Sequence, residues 1–170
     1  ARMFVDWYNG HPGFTTLPHG FHEQLPEVHT AVIIGNGNVA LDCARMLVKQ
    51  ANDLAGTDIA QHALDVLRRC GVQQVHVLGR RGAVQAAFTI KELRELTQLP
   101  GVAALVHAEE LQRGMTAASQ AELDAARARK RQDKLLQSLG TPDSVQPGVK
   151  QLHLRFCQSP VQCLSDADGS

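Results

Sequence analysis

The sequence has no net charge: 17 Lys and Arg balance 17 Asp and Glu. No global field therefore favours nucleic acid or an anionic membrane. No apolar run is long enough to span a bilayer. The four cysteines, Cys43, Cys70, Cys157 and Cys163, form no Cys-x-x-Cys pair, and reduced, partly buried thiols are the reading they favour. No Ser-His-Asp arrangement, His-x-x-x-His pair, carboxylate dyad or reactive-cysteine motif stands out. The chain opens on Ala1 rather than Met, and Asp166 to Ser170 reads as a turn with no strand after it. A piece of a longer protein is the expectation, and the missing targeting segment then says nothing about location.

What is present suffices for one domain. A length of 170 residues with 44% hydrophobic content allows a real core. The chain is organised around Ala31-Val32-Ile33-Ile34-Gly35-Asn36-Gly37-Asn38-Val39-Ala40-Leu41-Asp42. Four apolar residues run into a Gly-x-Gly-x-x-Ala turn, and Val39, Leu41, Cys43, Ala44, Met46, Leu47 and Val48 continue as an amphipathic pattern. The reading is strand, tight turn, helix, in the order of a dinucleotide-binding unit. Gly35 permits the sharp exit from the strand. Gly37 lets a pyrophosphate approach the backbone, and Ala40 lets helix and strand pack closely. Free N–H groups of the first turn and the positive end of the helix dipole would hold the phosphates. The turn alone fits a glycine-favouring strand–helix junction equally well.

The second strand separates the two readings. Val72 to Leu78, with Val75 and Val77 as core positions, ends in Gly79-Arg80-Arg81-Gly82. In a dinucleotide unit this end lies beside the adenosine ribose, where an acidic residue selects NAD. Two guanidiniums here suit a 2′-phosphate, and therefore NADP. Such a charge-assisted bond contributes about 1.5–3 kcal/mol, or roughly tenfold to over a hundredfold preference. With no catalytic side chains in view, hydride transfer is the chemistry that fits, because a nicotinamide and a partner flavin carry it. No second glycine-rich strand–turn–helix is present to hold that flavin.

The rest of the chain supplies a frame. Residues 1–9 are a short aromatic run with the only Trp and the only Tyr, and 10–29 is a loop rich in Gly, Pro and His. His11, His19 and His22 lack a helical frame or cysteine partner, so they read as loop histidines. The first strand is expected at 30–35 and its helix at 38–51, with Asn38 as N-cap. A further helix starts near Thr57 or Asp58, capped by Asp58 and Gln61, with Ile59, Ala63, Leu64 and Leu67 on one face and Gly71 as the stop. Thr89 and Glu92 form a capping box for a helix from Ile90 to about Pro100. Val102 to Val106 is a strand. Residues 117–139 form a long helical pattern whose outer face carries Arg127, Arg129, Lys130, Arg131 and Lys134, a solvated face or a dock for an acidic protein. Gln151 to Cys157 alternates as a half-buried strand, continued by Val161 and Cys163-Leu164 as a hairpin element. The expected fold is α/β and Rossmann-like, with a central parallel sheet, helices on both faces and a small β-hairpin.

Together, Phe4 to Gly10, Val32 to Asp42, Gly79 to Gly82 and Gln85 to Glu95 resemble adrenodoxin reductase, the mitochondrial-type ferredoxin–NADP reductase family. The likeness is dense over 1–101, thin over 102–150 apart from Ala125 to Arg131, and returns over Leu154 to Gly169. It implies an NADP-binding domain (30–170, incomplete at its C-terminal end) set within an FAD-binding domain, with 1–29 as linker and 1–9 as a crossing strand. Gly35, Asn36, Gly37, Asn38 and Val39 would line the phosphate turn, Arg80 and Arg81 the 2′-phosphate clamp, and Glu92 a further cofactor contact. Arg94, Arg127 and Arg131 match positions that dock an acidic iron–sulfur ferredoxin. The implied parent is a mitochondrial enzyme that passes a hydride from NADPH to FAD and single electrons onward. Asp6, Asn36 and Ala83 stand where the family usually has Gly, Gln and Pro. Two other readings stay open: the NADP domain of another flavoprotein, such as a glutamate-synthase-type subunit, and a non-catalytic, NADP-responsive module whose basic helix recruits an acidic protein with the dinucleotide as regulator.

Overall fold

The computed structural model describes residues 1–164; the C-terminal turn expected at Asp166 to Ser170 lies outside them. In chain order the elements are α1 (Arg2–Tyr8), α2 (Phe21–Gln24), β1 (Thr30–Ile34), α3 (Asn38–Val48), α4 (Ala51–Leu54), α5 (Gln61–Leu67), β2 (Gln74–Gly79), α6 (Ile90–Thr97), β3 (Val102–Val106), α7 (Ala108–Gly114), α8 (Ala117–Ala125), α9 (Arg127–Gln137) and β4 (Lys150–Phe156). Short 3₁₀ turns occur at Pro18–Gly20, Ala83–Gln85 and Pro142–Ser144.

The fold is α/β, with one four-stranded sheet in the order β1-β2-β4-β3 and every pairing parallel. Register aligns Ile33, Val77, Leu154 and Val106 in one row, and Ala31, Val75, Leu152 and Ala104 in the next. These rows face the core, where α3 contributes Leu41, Ala44, Leu47 and Val48, and α6 contributes Leu93 and Leu96. Arg45 ties the two helices together, donating to Asp42 at 2.6 Å and to Glu95 at 2.7 Å. Alternation turns Val32, His76, His153 and Leu105 to the opposite face. There α7 holds the β4 end through Glu110 and Arg155, whereas Val32 and Ile34 on the edge strand β1 remain 57% and 67% exposed.

Several expectations change. Residues 2–8 form a helix rather than a crossing strand: Phe4, Trp7 and Tyr8 fall on one side of it and are buried, which is helical spacing. His62 on α5 meets the Trp7 carbonyl at 3.0 Å, and the Ala60 N–H donates to Tyr8. The helix expected from Thr57 begins only at Gln61, after Ala60, with no side-chain cap. The 117–139 pattern breaks at Ala126, whose extended backbone (φ −127°, ψ 106°) separates α8 from α9. Residues 150–156 form the expected strand with Leu152, Leu154 and Phe156 fully buried, but it lies between β2 and β3, with His153 of its other face also buried, and leads to no hairpin among the described residues. The expected hairpin residues Val161 to Leu164 are irregular. His11 accepts the Gly13 N–H within its own loop, and His22, on α2, accepts the Leu17 N–H. No helix among the described residues is long and apolar enough to cross a membrane.

Candidate functional site

The carboxyl ends of β1, β2 and β4 open onto one cleft of about 360 Å³. Its walls are Ile34 to Gly37, Leu78 to Gly82, Gln85 to Ala87 and Gln158 to Pro160. Ligands of open parallel sheets sit beyond these strand ends.

The first wall is the glycine turn. Gly35 has φ +125°, a conformation that β-carbon-bearing residues rarely adopt. Its N–H still donates to Leu78 on β2 at 2.8 Å, so the chain leaves β1 only after the ladder is complete. Gly37 is extended (φ −114°, ψ 175°), and a β-carbon there would meet nothing within 4 Å. That space is a cradle open to a ligand. Gly37, not Asn38, is the N-cap of α3. The Asn38 side chain instead accepts the Thr89 N–H at 2.8 Å and ties the turn to the start of α6. No described group accepts from the Asn38 or Val39 N–H, and an anion would complete this first turn.

The second wall is Arg80 and Arg81, both exposed, neither in an ion pair with a described residue. They share the cleft with Gly35 to Gly37, as the reading of the sequence requires. Gly79 before them has no room for a side chain, because the Asn36 amide lies against it. Asn36 is accordingly turned under the loop: its Nδ2 donates to the Arg155 carbonyl at 3.4 Å, and its buried Oδ1 has no partner among the described residues. Asn36 therefore serves the turn chiefly through its backbone, whose carbonyl accepts from Ala87. Gln85 anchors the third wall, donating to Ser119 and Glu122 on α8 at 3.2 and 3.0 Å, and Arg129 on α9 donates to Ala86 at 2.7 Å.

Glu92 does not line the cleft. It is half-buried on α6, and its N–H donates to Thr89 Oγ1, the capping bond expected there. The wall of Gln158 to Pro160 was not legible beforehand, since it follows from β4 being a parallel strand whose end reaches the cleft. Glu110, only 3% exposed, also gave no signal in the sequence. Its Oε1 accepts from Arg155 at 2.6 and 2.8 Å and from Gln158 at 2.9 Å, and its Oε2 accepts the Phe156 N–H at 2.7 Å. Burial pushes its pKa up, but these four bonds outweigh burial and hold it below the usual carboxylate range.

Among the described residues, no carboxylate and no histidine lines the cleft. Backbone N–H groups and two guanidiniums can hold a phosphorylated ligand, and the described lining residues include no acid–base pair. Elsewhere, Arg94 on α6 and Arg127 and Arg131 on α9 are exposed and in no ion pair with a described residue. Arg127 and Arg131 are four apart and share a helix face.

Comparison with known proteins agrees with this geometry. No family model matches the chain. It is 41% identical over 167 residues to an Arabidopsis thaliana protein named NADPH:adrenodoxin oxidoreductase, mitochondrial, covering 96% of this chain and 33% of that protein. It is 44% identical over 168 residues to NADPH-ferredoxin reductase FprA of Mycobacterium tuberculosis, covering 95% of this chain and 34% of that protein. The bovine mitochondrial NADPH:adrenodoxin oxidoreductase is 41% identical over 181 residues, 99% of this chain and 34% of its own length. A solved structure of M. tuberculosis FprA in complex with NADPH superposes with a TM-score of 0.77 at 43% identity, covering 91% of this chain and 32% of that one. The chain spans about a third of the length of the curated relatives it matches. The resemblance carried by the motifs thus extends over nearly the whole chain: its homologues are adrenodoxin reductases and FprA.

Proposed function

We propose that this chain is the NADP(H)-binding domain of a flavoprotein ferredoxin (adrenodoxin)–NADP reductase. The observation that carries the reading is that the Gly35–Gly37 cradle and the Arg80–Arg81 pair face one cleft. The homologue solved with NADPH supports it. In this reading the N–H groups at the start of α3 hold the pyrophosphate, Gly37 admits it, and the two guanidiniums grip the 2′-phosphate. Bound NADPH supplies a hydride to an FAD held by the rest of the parent enzyme, and single electrons pass on to an iron–sulfur ferredoxin. The work of this chain is binding and orientation. Residues 1–29 lead from the FAD domain and 30–170 form the NADP domain. Glu92, at the edge of the turn that Thr89 and Asn38 hold, belongs to the outer contacts of the cofactor. Arg94, Arg127 and Arg131 form the dock for the acidic ferredoxin. The mitochondrial matrix is the proposed location, supported by the names of the plant and bovine relatives; the bacterial relative shows that the architecture is not confined to it.

The test replaces Arg80 and Arg81 together by Ala and titrates NADPH and NADH by fluorescence. Loss of NADPH affinity by roughly tenfold to a hundredfold, with NADH nearly unchanged, is expected. An equal loss of both cofactors would refute the assignment of the clamp.

A further inference from the structure

The two arginines stand on an exposed loop with no ion pair to a described residue, and a 2′-phosphate clamp needs its backbone held. The bonds that hold it come from the end of β4. The Cys157 N–H donates to the Arg81 carbonyl at 3.1 Å, and the Gln158 N–H donates to the Gly79 carbonyl at 3.0 Å. Both N–H groups can point back at β2 because Cys157 adopts φ +55°, a left-handed conformation unusual for a residue with a side chain. Something must impose that conformation. Every described partner of the Glu110 carboxylate lies in this stretch: the Arg155 guanidinium, the Phe156 N–H and the Gln158 amide flank Cys157 on both sides. Helix α7 also meets the loop directly. Gly114, at its C-terminal end, lies so close to Gly82 that a β-carbon on Gly114 would approach the Gly82 Cα to 2.8 Å.

From this we infer that Glu110 is a positioning residue for cofactor selectivity: by gripping Phe156 and Gln158 on either side of Cys157, it fixes the backbone that carries Arg80 and Arg81. The inference rests on the proposed NADP site and adds a residue that touches no part of the ligand. A purely structural anchor between α7 and β4 would serve both dinucleotides alike. A residue that aims the guanidiniums serves the 2′-phosphate and so affects NADPH alone.

Glu110→Gln keeps shape and burial but removes the charge that draws four donors together. The experiment measures NADPH and NADH dissociation constants for the unaltered chain, for E110Q and for E110D, with circular dichroism on each. The expected result is an NADPH affinity about tenfold weaker in E110Q, an NADH affinity changed less than about twofold, and partial recovery of selectivity in E110D, which keeps the charge. Gln158→Ala, which severs one arm of the grip at a half-buried position, gives a smaller loss of the same sign and carries the test if E110Q does not fold. An unchanged NADPH-to-NADH preference in folded E110Q, or in Q158A if E110Q is unfolded, overturns the inference. An unaltered chain that binds no NADPH overturns the proposed function itself, a separate outcome read in the first titration.

Discussion

Gly35 and Gly37 sit two residues apart and make opposite demands. Gly35 is held at φ +125° with open space around it, so its requirement is conformational. Gly37 has an extended backbone that any residue adopts, so its requirement is the empty cradle in front of it. Gly35→Ala should therefore cost about 1–3 kcal/mol of stability, read as a lowered denaturation midpoint. Gly37→Ala should leave stability within about 0.5 kcal/mol and weaken NADPH binding in a titration. If Gly37→Ala bound NADPH as before, the cradle would not be where the phosphates lie. Both glycines were legible as a motif. The motif assigned Gly35 the sharp exit and Gly37 the open approach; what it did not show was the backbone angle behind that division, which is set by the β1–β2 ladder. Asn36 illustrates the same limit. Its short amide turns under the loop against Gly79, a packing that depends on residues 43 positions away.

Elements assembled from distant segments were the hardest to read in advance. The alternation of β4 is compatible with an edge strand or a hairpin, and only its neighbours, β2 and β3, make it central. That placement brings His153 beside His76 on β2, with ring centroids 4.3 Å apart and nearly parallel, and beside His107 at the end of β3, 5.6 Å away. Burial, then the neighbouring His76 and His107, then Arg155, push the His153 pKa down to about 4. Burial and Arg155 also lower those of His76 and His107, while Glu110 opposes them from the facing helix. In the unfolded chain each histidine titrates near 6.5. The folded state thus binds fewer protons, so its stability is full above pH 6.5 and falls as the pH drops toward 4. For His153 alone the loss is on the order of 3 kcal/mol. Urea midpoints measured from pH 7.5 to 4 should decline over that window, and His153→Leu should flatten the decline. A variant with the same slope as the unaltered chain would show that the stack does not govern acid sensitivity. Helix α1 was misread for a different reason. The crossing strand came from the family resemblance, whereas aromatics at 4, 7 and 8 have helical spacing, and α5 supplies the surface they pack on.

At the scale of the molecule, the proposed dinucleotide cleft and the basic face are built on separate parts but share a frame. Arg129 on α9 reaches Ala86 in the cleft wall, whereas Arg127 and Arg131 on the same helix point to solvent. Glutamate at Arg127 and Arg131 together should weaken binding of an acidic ferredoxin by about tenfold or more at low salt, chiefly through the association rate. The same double variant should leave NADPH affinity unaltered. Surface plasmon resonance at two salt concentrations checks this, and unchanged ferredoxin binding would remove the dock from α9. The overall α/β class, the glycine turn and the arginine pair were legible because each is a local pattern with one mechanical purpose. The place of the fourth strand between β2 and β3, the Glu110 grip and the Gln158 wall were not, because each arises from contacts between segments about 45 to 80 residues apart.

The most direct measurement is the ratio of NADH to NADPH dissociation constants for the unaltered chain at a single ionic strength. A clamp of two guanidiniums beside the glycine turn predicts that NADPH binds at least about tenfold more tightly. Equal affinities would contradict it, and the cleft would then have to be assigned to a ligand without the 2′-phosphate.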